Sequence, residues 1–106
     1  GATIVSSEKR LDCCGFHASY PAGTSVRKMS NQIVNNADEN GADVVVTPCP
    51  LCQMQLDIYQ ERYQDENHSN VRKPIIHLSQ LVGLALGLSV EDLGLDLNII
   101  DATKIA

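Results

Sequence analysis

Apolar side chains along the chain alternate between helical spacing and short extended runs. The first stripe at helical spacing comprises Val26, Met29, Ile33 and Ala37. This spacing predicts a helix over residues 24–40, and Gly41 would end it because glycine readily adopts the left-handed conformation. A second stripe predicts a helix from Pro50 to about residue 64. A third stripe predicts a helix that begins at Ser79 and ends near residue 88.

Short runs of β-branched residues separate these helices. Three consecutive valines within residues 43–47 are typical of a strand that is buried on both faces of a parallel sheet. Residues 75–78 form a second such run, and weaker patterns at residues 2–6 and 11–14 predict two further short extended segments. The alternation predicts an α/β fold with right-handed crossovers. Its sheet would be small and mostly parallel, with three to four strands and flanking helices, like half of a Rossmann fold.

The length of 106 residues corresponds to a single domain. The predicted sheet is small for an α/β domain, so we expect residues 1–106 to be one domain that lacks its N-terminal part and belongs to a larger subunit. The net charge is −5 and aromatic residues make up only 4% of the chain. This composition argues against nucleic acid as a partner, because phosphates require a clustered basic surface.

The cellular location is predicted from the lack of a targeting segment. The most apolar window, residues 75–90, contains His77, Ser79 and Gln80 and is too short to cross a bilayer. The first residues do not form a secretory signal. We therefore expect a cytoplasmic protein that does not span a membrane. In the cytosol thiols stay reduced, and clustered cysteines hold metal more often than they form disulfides.

The four cysteines occur in two pairs, Cys13-Cys14-Gly15 and Cys49-Pro50-Leu51-Cys52. Cys49 ends a predicted strand and opens a predicted helix, where the helix dipole and free N–H groups favour a thiolate. Cys52 lies one helical turn further on, so this pair is suited to chelation or to redox chemistry. Cys13 and Cys14 point to opposite faces of an extended backbone, which suits a polynuclear iron–sulfur cluster better than a single ion. A crossover helix would bring both pairs to one end of the sheet, where we expect all four sulfur atoms to converge.

These motifs resemble a known family. Residues 11–15, read as Leu-Asp-Cys-Cys-Gly, and residues 41–53, which end in Thr-Pro-Cys-Pro-Leu-Cys-Gln, resemble the cysteine-rich CCG domain in the B subunit of heterodisulfide reductases. The segment from His77 to Gly87 is similar to the C-terminal region of that protein, and the resemblance covers about residues 10–95. Related copies occur in iron–sulfur subunits of glycolate and lactate oxidation complexes and in some succinate dehydrogenases.

The resemblance implies that the cluster ligands, and so the catalytic site, are Cys13, Cys14, Cys49 and Cys52. In this family such cysteines hold a non-cubane 4Fe-4S cluster or, in some copies, zinc. The implied function is that of an oxidoreductase subunit, which transfers electrons to a small disulfide substrate and cleaves it. The implied partners are companion iron–sulfur and flavin subunits. The family pattern also contains an upstream cysteine and a second CCG copy, which this sequence lacks. We therefore expect the fragment alone to be inactive, with the iron–sulfur cluster in the full-length protein and zinc or an empty site as the alternatives for the fragment.

Two other functions are consistent with the cysteine pattern. In the first, zinc held by the four cysteines forms a structural module that docks another subunit and performs no chemistry. In the second, Cys49 and Cys52 act directly in thiol–disulfide exchange, although the sequence lacks thioredoxin-like flanks.

The three histidines differ in their sequence context. His17 follows the first cysteine pair and is a candidate hydrogen-bond or proton donor to bound sulfur. His77 lies in an apolar segment, where we expect a structural histidine rather than a ligand. His68 lies in a polar stretch, and we expect it to face solvent.

Overall fold

The structure is a computed structural model that describes residues 2–18, 23–62 and 71–105. Its helices and strands, in chain order, are α1 (Gly23–Glu39), β1 (Val45–Thr47), α2 (Pro50–Arg62), β2 (Ile75–His77) and α3 (Leu78–Ala85). Short 3-10 turns occupy Phe16–Ala18, Leu95–Leu97 and Thr103–Ile105. The predicted α/β class is confirmed.

The sheet contains two parallel strands within the described residues, fewer than the three to four predicted. Val45 pairs with Ile75, and the register continues to Thr47 opposite His77. The predicted extended segments at residues 2–6 and 11–14 are not strands. The physical reason is that neither segment has a hydrogen-bonded strand beside it, and isolated extended chain does not form a sheet.

The core is divided between the two faces of the sheet. On one face, α1 and α2 pack together around Ile75, with Cys14, Val34 and Leu56 in the same buried cluster. On the other face, Ile76 packs against Leu95, Ala102, α3 and the C-terminal segment. Ile75 and Ile76 are both completely buried, because neighbouring residues of a strand point to opposite faces and both faces are covered.

The three consecutive valines, Val44 and the two valines of β1, are less buried than the sequence predicts. Val45 packs into the cluster with α1 and α2, while Val44 and Val46 pack into the cluster with α3. All three are only half-buried, because β1 has a strand on one side and an open groove on the other.

The start of α3 corrects a local prediction. The N-cap is His77 rather than Ser79, and the side chain of Gln80 completes a capping box. Gly83 is in close contact with Leu93, where a Cβ would overlap the leucine side chain, and Gly87 has a φ of 87° that ends the helix.

The C-terminal segment is held to α2 by a buried carboxylate. Asp57 accepts hydrogen bonds from the amides of Ile99 at 2.8 Å and Ile100 at 2.9 Å. Burial raises the pKa of the Asp57 carboxyl, and the two amide bonds oppose this increase.

Candidate functional site

The N-terminus of α2 holds the first sulfur of the site. Cys49 is the N-cap residue, since its carbonyl accepts the amide of Gln53 at 3.0 Å. Hydrogen bonds from the backbone amides of Cys52 and Leu51 lower the pKa of the Cys49 thiol. The amide of Cys49 itself donates to Oγ1 of Thr47 at 3.2 Å. The strand end and the helix start therefore fix Cys49 and stabilise its thiolate, as the sequence predicts.

Cys52 lies one turn further along α2 and faces Cys49 and Cys14. Its Sγ lies 3.3 Å from Sγ of Cys14. Burial, followed by hydrogen bonds with Cys14 and Cys49, raises the pKa of the Cys52 thiol to about 12. The two cysteines of the CxxC pair therefore differ: Cys49 favours the thiolate, whereas Cys52 keeps its proton unless a cation replaces it.

The loop before α1 brings in the third sulfur and turns the fourth away. Cys14 is only 2% exposed, and its carbonyl accepts the hydroxyl of Ser30 on α1 at 2.9 Å. Gly15 follows with a φ of 89° and packs directly against α1. Cys13 is exposed, and its Sγ accepts the amide of Gly15 at 3.3 Å. The adjacent cysteines thus point in different directions, as expected for neighbouring residues of extended chain.

The structure brings together three of the four predicted sulfur atoms, those of Cys14, Cys49 and Cys52. Within residues 2–18, 23–62 and 71–105, no group of three or more Cys, His, Asp or Glu side chains has an arrangement that could hold a metal ion. The candidate His17 is exposed, and its ring makes an edge-to-face contact with Phe16 at a centroid distance of 6.2 Å. His68 lies outside the described residues.

His77 connects the site to the start of α3, a contact that the sequence did not reveal. Its Nε2 lies 2.9 Å from the carbonyl oxygen of Pro48, and its Nδ1 lies 2.8 Å from Oγ of Ser79. With Nδ1 also accepting the amide of Ser79, the proton is on Nε2 and donates to Pro48. The expected structural role of His77 agrees with these contacts. The link to Pro48 spans 29 positions of the sequence, so no local pattern could have predicted it.

The donor set fits a thiolate-ligated group. Soft sulfur ligands select iron–sulfur clusters and zinc, and Cys52 contacts the thiols of both Cys14 and Cys49, so the chemistry of the donors suits such a group although their arrangement does not yet enclose an ion. A fourth ligand is not provided by the described arrangement, because the sulfur of Cys13 is directed elsewhere.

Comparison with known proteins identifies the family. The profile of the CCG cysteine-rich domain matches residues 1–57. This chain belongs to the CCG cysteine-rich domain family. The chain is 61% identical over 105 residues to the membrane anchor subunit of 8-methylmenaquinol:fumarate reductase from Wolinella succinogenes, a match that covers 99% of this chain and 37% of that subunit.

Two archaeal relatives support the predicted resemblance. The B subunit of the ferredoxin/F420H2-dependent CoB-CoM heterodisulfide reductase of Methanosarcina acetivorans is 32% identical over 105 residues, which is 94% of this chain and 34% of that protein. A protein of Archaeoglobus profundus that is similar to the B subunit of heterodisulfide reductase is 34% identical over 93 residues, which is 86% of this chain and 31% of that protein. The resemblance to the B subunit of heterodisulfide reductases is therefore confirmed, and the chain spans about a third of the length of these relatives.

The predicted cytoplasmic location is wrong. The Wolinella relative, which matches almost the whole chain, is a membrane anchor subunit. In the part of the chain that the structure describes, no helix is both long and apolar enough to cross a membrane. The sequence prediction failed because it considered only spans and signals within these residues, and a subunit can be tied to a membrane by other segments or by its partners.

Proposed function

We propose that this chain is the cluster-binding domain of a membrane-associated reductase subunit, and that it transfers electrons within a complex of the quinol:fumarate reductase type. The contact between the sulfurs of Cys14 and Cys52, at 3.3 Å and next to Cys49, is the observation that carries the proposal. The 61% identity to the Wolinella subunit supports this type of complex over a heterodisulfide reductase, for which the identity is 32%. Residues 1–106 would form one CCG domain of the longer subunit.

The residues that would hold the cofactor are Cys14, Cys49 and Cys52, with Cys13 as the candidate fourth ligand. An iron–sulfur cluster bound there would supply one-electron transfer. The amides of Leu51 and Cys52 donate hydrogen bonds to the sulfur of Cys49. Such bonds stabilise negative charge on the sulfur, and so they favour the reduced form of a group that the sulfur ligates.

Burial of the site contributes a second effect. Cys14 is buried, whereas Cys49 and Cys52 are half-buried. Burial of Cys14 keeps water from its sulfur and lowers the local dielectric constant there. The half-buried Cys49 and Cys52 leave the site accessible to an electron donor or acceptor.

The proposal is tested with the full-length subunit, purified without oxygen. Iron, acid-labile sulfide and zinc are quantified, and the electron paramagnetic resonance spectrum is recorded. We expect iron and sulfide in the wild type, and a loss of more than about nine-tenths of both after Cys14→Ser, Cys49→Ser or Cys52→Ser. Gln32→Ser, an exposed change on α1, is the matched control and should retain the cluster.

Three outcomes would contradict the proposal. One equivalent of zinc without iron would favour the structural zinc module. Absence of both metals, together with a reversible disulfide between Cys49 and Cys52, would favour thiol–disulfide exchange. An unchanged iron spectrum in all three cysteine variants would place the cluster elsewhere in the subunit.

The proposed membrane association is tested by a separate measurement. We expect the subunit to sediment with membranes when it is expressed with its complex.

A further inference from the structure

The two edges of the sheet differ in how their backbone groups are satisfied. On the outer edge of β2, the carbonyl of Ile75 accepts the side-chain amides of Asn98 at 2.7 Å and Gln53 at 3.2 Å. On the other side, the amide of Val45 donates to Pro74, so Val45 faces β2. Because strand residues alternate, the backbone groups of Val46 face away from β2. Among the described residues, no side chain or strand closes this second edge.

A groove of about 1420 Å³ runs along the open edge of β1. Apolar residues line it from both layers of the fold, with Ile33 and Ala37 from α1 and Leu81 and Leu84 from α3. The sulfur-bearing residues Cys14 and Cys52 also line this groove, and residues 2–7 form part of its wall. An apolar space between two layers, beside free backbone groups, has the properties of a vacant strand position.

The topology indicates which segment belongs in this position. The β1–α2–β2 unit is a crossover between parallel strands, and α1 packs against α2 on the same face of the sheet. Such crossovers are right-handed. A strand that precedes α1 and connects to β1 by the same type of crossover must therefore lie on the side of β1 opposite to β2.

Residues 2–6 precede α1 and have the composition of a strand. Their sequence, Ala-Thr-Ile-Val-Ser, contains three adjacent β-branched residues. They lie irregularly along the groove wall, and the side chain of Ile4 is 93% exposed although an apolar surface is beside it. Alternate side chains of a strand at this position would enter the two apolar layers.

We propose that in the full-length subunit residues 2–6 occupy the groove as a third parallel strand, paired with the open edge of β1. The loop that carries Cys13 directly follows these residues, so docking of the strand would place this loop at the carboxyl end of the sheet, near Cys49 and Cys52. This consequence for Cys13 rests on the proposed function. The strand pairing itself rests only on the fold.

Hydrogen exchange of the full-length subunit, followed by mass spectrometry, tests the pairing. In the wild type, amides in the peptide that covers residues 43–48 should be protected, including Val46. Ile4→Asp should increase their exchange rate by about tenfold or more, because a carboxylate is excluded from an apolar layer. Leu11→Asp is the matched control, since Leu11 is also highly exposed, at 88%, but lies outside the segment.

Proline variants keep the test informative if Ile4→Asp prevents folding. In a parallel strand only alternate amides donate to the neighbouring strand. Thr3→Pro, Ile4→Pro and Val5→Pro should therefore increase exchange at residues 43–48 in alternation, and a disordered segment would show no such pattern.

An unprotected amide at Val46 in the wild type would overturn the proposal, as would protection that Ile4→Asp leaves unchanged. Protection that depends on protein concentration would assign the groove to a second copy and would also overturn it. Iron is measured in the same samples. Protected amides in an iron-free subunit would refute the proposed function and leave the strand assignment intact.

Discussion

His77 has two roles that can be separated, because it stabilises the start of α3 and also fixes the backbone next to Cys49. One ring nitrogen caps α3, and the other donates to the carbonyl of Pro48, which immediately precedes Cys49. His77→Asn keeps an N-cap side chain but is too short to reach Pro48. His77→Ala removes both interactions.

The expected free-energy changes follow from the two hydrogen bonds. Loss of the bond to Pro48, which is exposed, should lower the free energy of unfolding by about 0.5–1 kcal/mol in His77→Asn. His77→Ala also loses the cap, which is worth about 1 kcal/mol, so its total should be about 1.5–2 kcal/mol. Ser79→Ala removes only the hydroxyl partner of Nδ1 and should change stability by less than about 0.5 kcal/mol.

Urea unfolding followed by circular dichroism measures these changes, and the slope with urea verifies that the unfolded state is unaltered. In the loaded subunit, His77→Asn should also shift the reduction potential, because the backbone at Cys49 is then less well fixed. Equal destabilisation by the Asn and Ala variants would refute the capping argument. An unchanged stability and potential in His77→Asn would refute the role assigned to the bond with Pro48.

Three further predictions concern the packing of the fold. Burial raises the pKa of the Asp57 carboxyl, so the stability that its protonation contributes is fully present below the usual pKa of 3.8 and is lost as the pH rises through the raised pKa. Asp57→Asn should abolish this loss of stability in denaturation curves measured at several pH values. Gly83→Ala should destabilise the chain by about 1 kcal/mol in urea unfolding, because the added methyl group forces the end of the Leu93 side chain to move and the higher helix propensity of alanine offsets part of that cost. Ile75→Ala should cost about 2–5 kcal/mol in the same assay, since Ile75 is completely buried, and a loss below about 1 kcal/mol would contradict the core assignment.

Features set by neighbouring residues could be predicted from the sequence. The stripe in α1, the left-handed Gly41 and the position of Cys49 between a strand and Pro50 all depend on a few adjacent positions. The structure places the helices within a few residues of their predicted bounds for this reason. The lowered pKa of Cys49 could be predicted as well, because it arises from amides in the first turn of its own helix.

Features set by distant residues could not be predicted in the same way. The bond between His77 and Pro48 spans 29 positions. The predicted convergence of all four sulfurs failed at Cys13, because the loop that carries it is positioned by the packing of Gly15 against α1. The strand count failed for a related reason. Residues 2–6 have suitable composition, but a strand exists only when another backbone pairs with it, and composition does not supply that partner.

The position of the thiol site connects two parts of the chain that the small sheet does not join. A pair of short strands is marginal by itself. The sulfurs of Cys14 and Cys52 meet across 38 positions of the chain, and they join the loop before α1 to the start of α2. A ligand shared by these two sulfurs would stabilise the folded chain by its own binding free energy, because it binds the folded arrangement of the thiols and not the unfolded chain. The same contacts that suit the site to a thiolate-ligated group therefore also tie the first layer of the fold together, so that loading of the site and completion of the fold should stabilise each other.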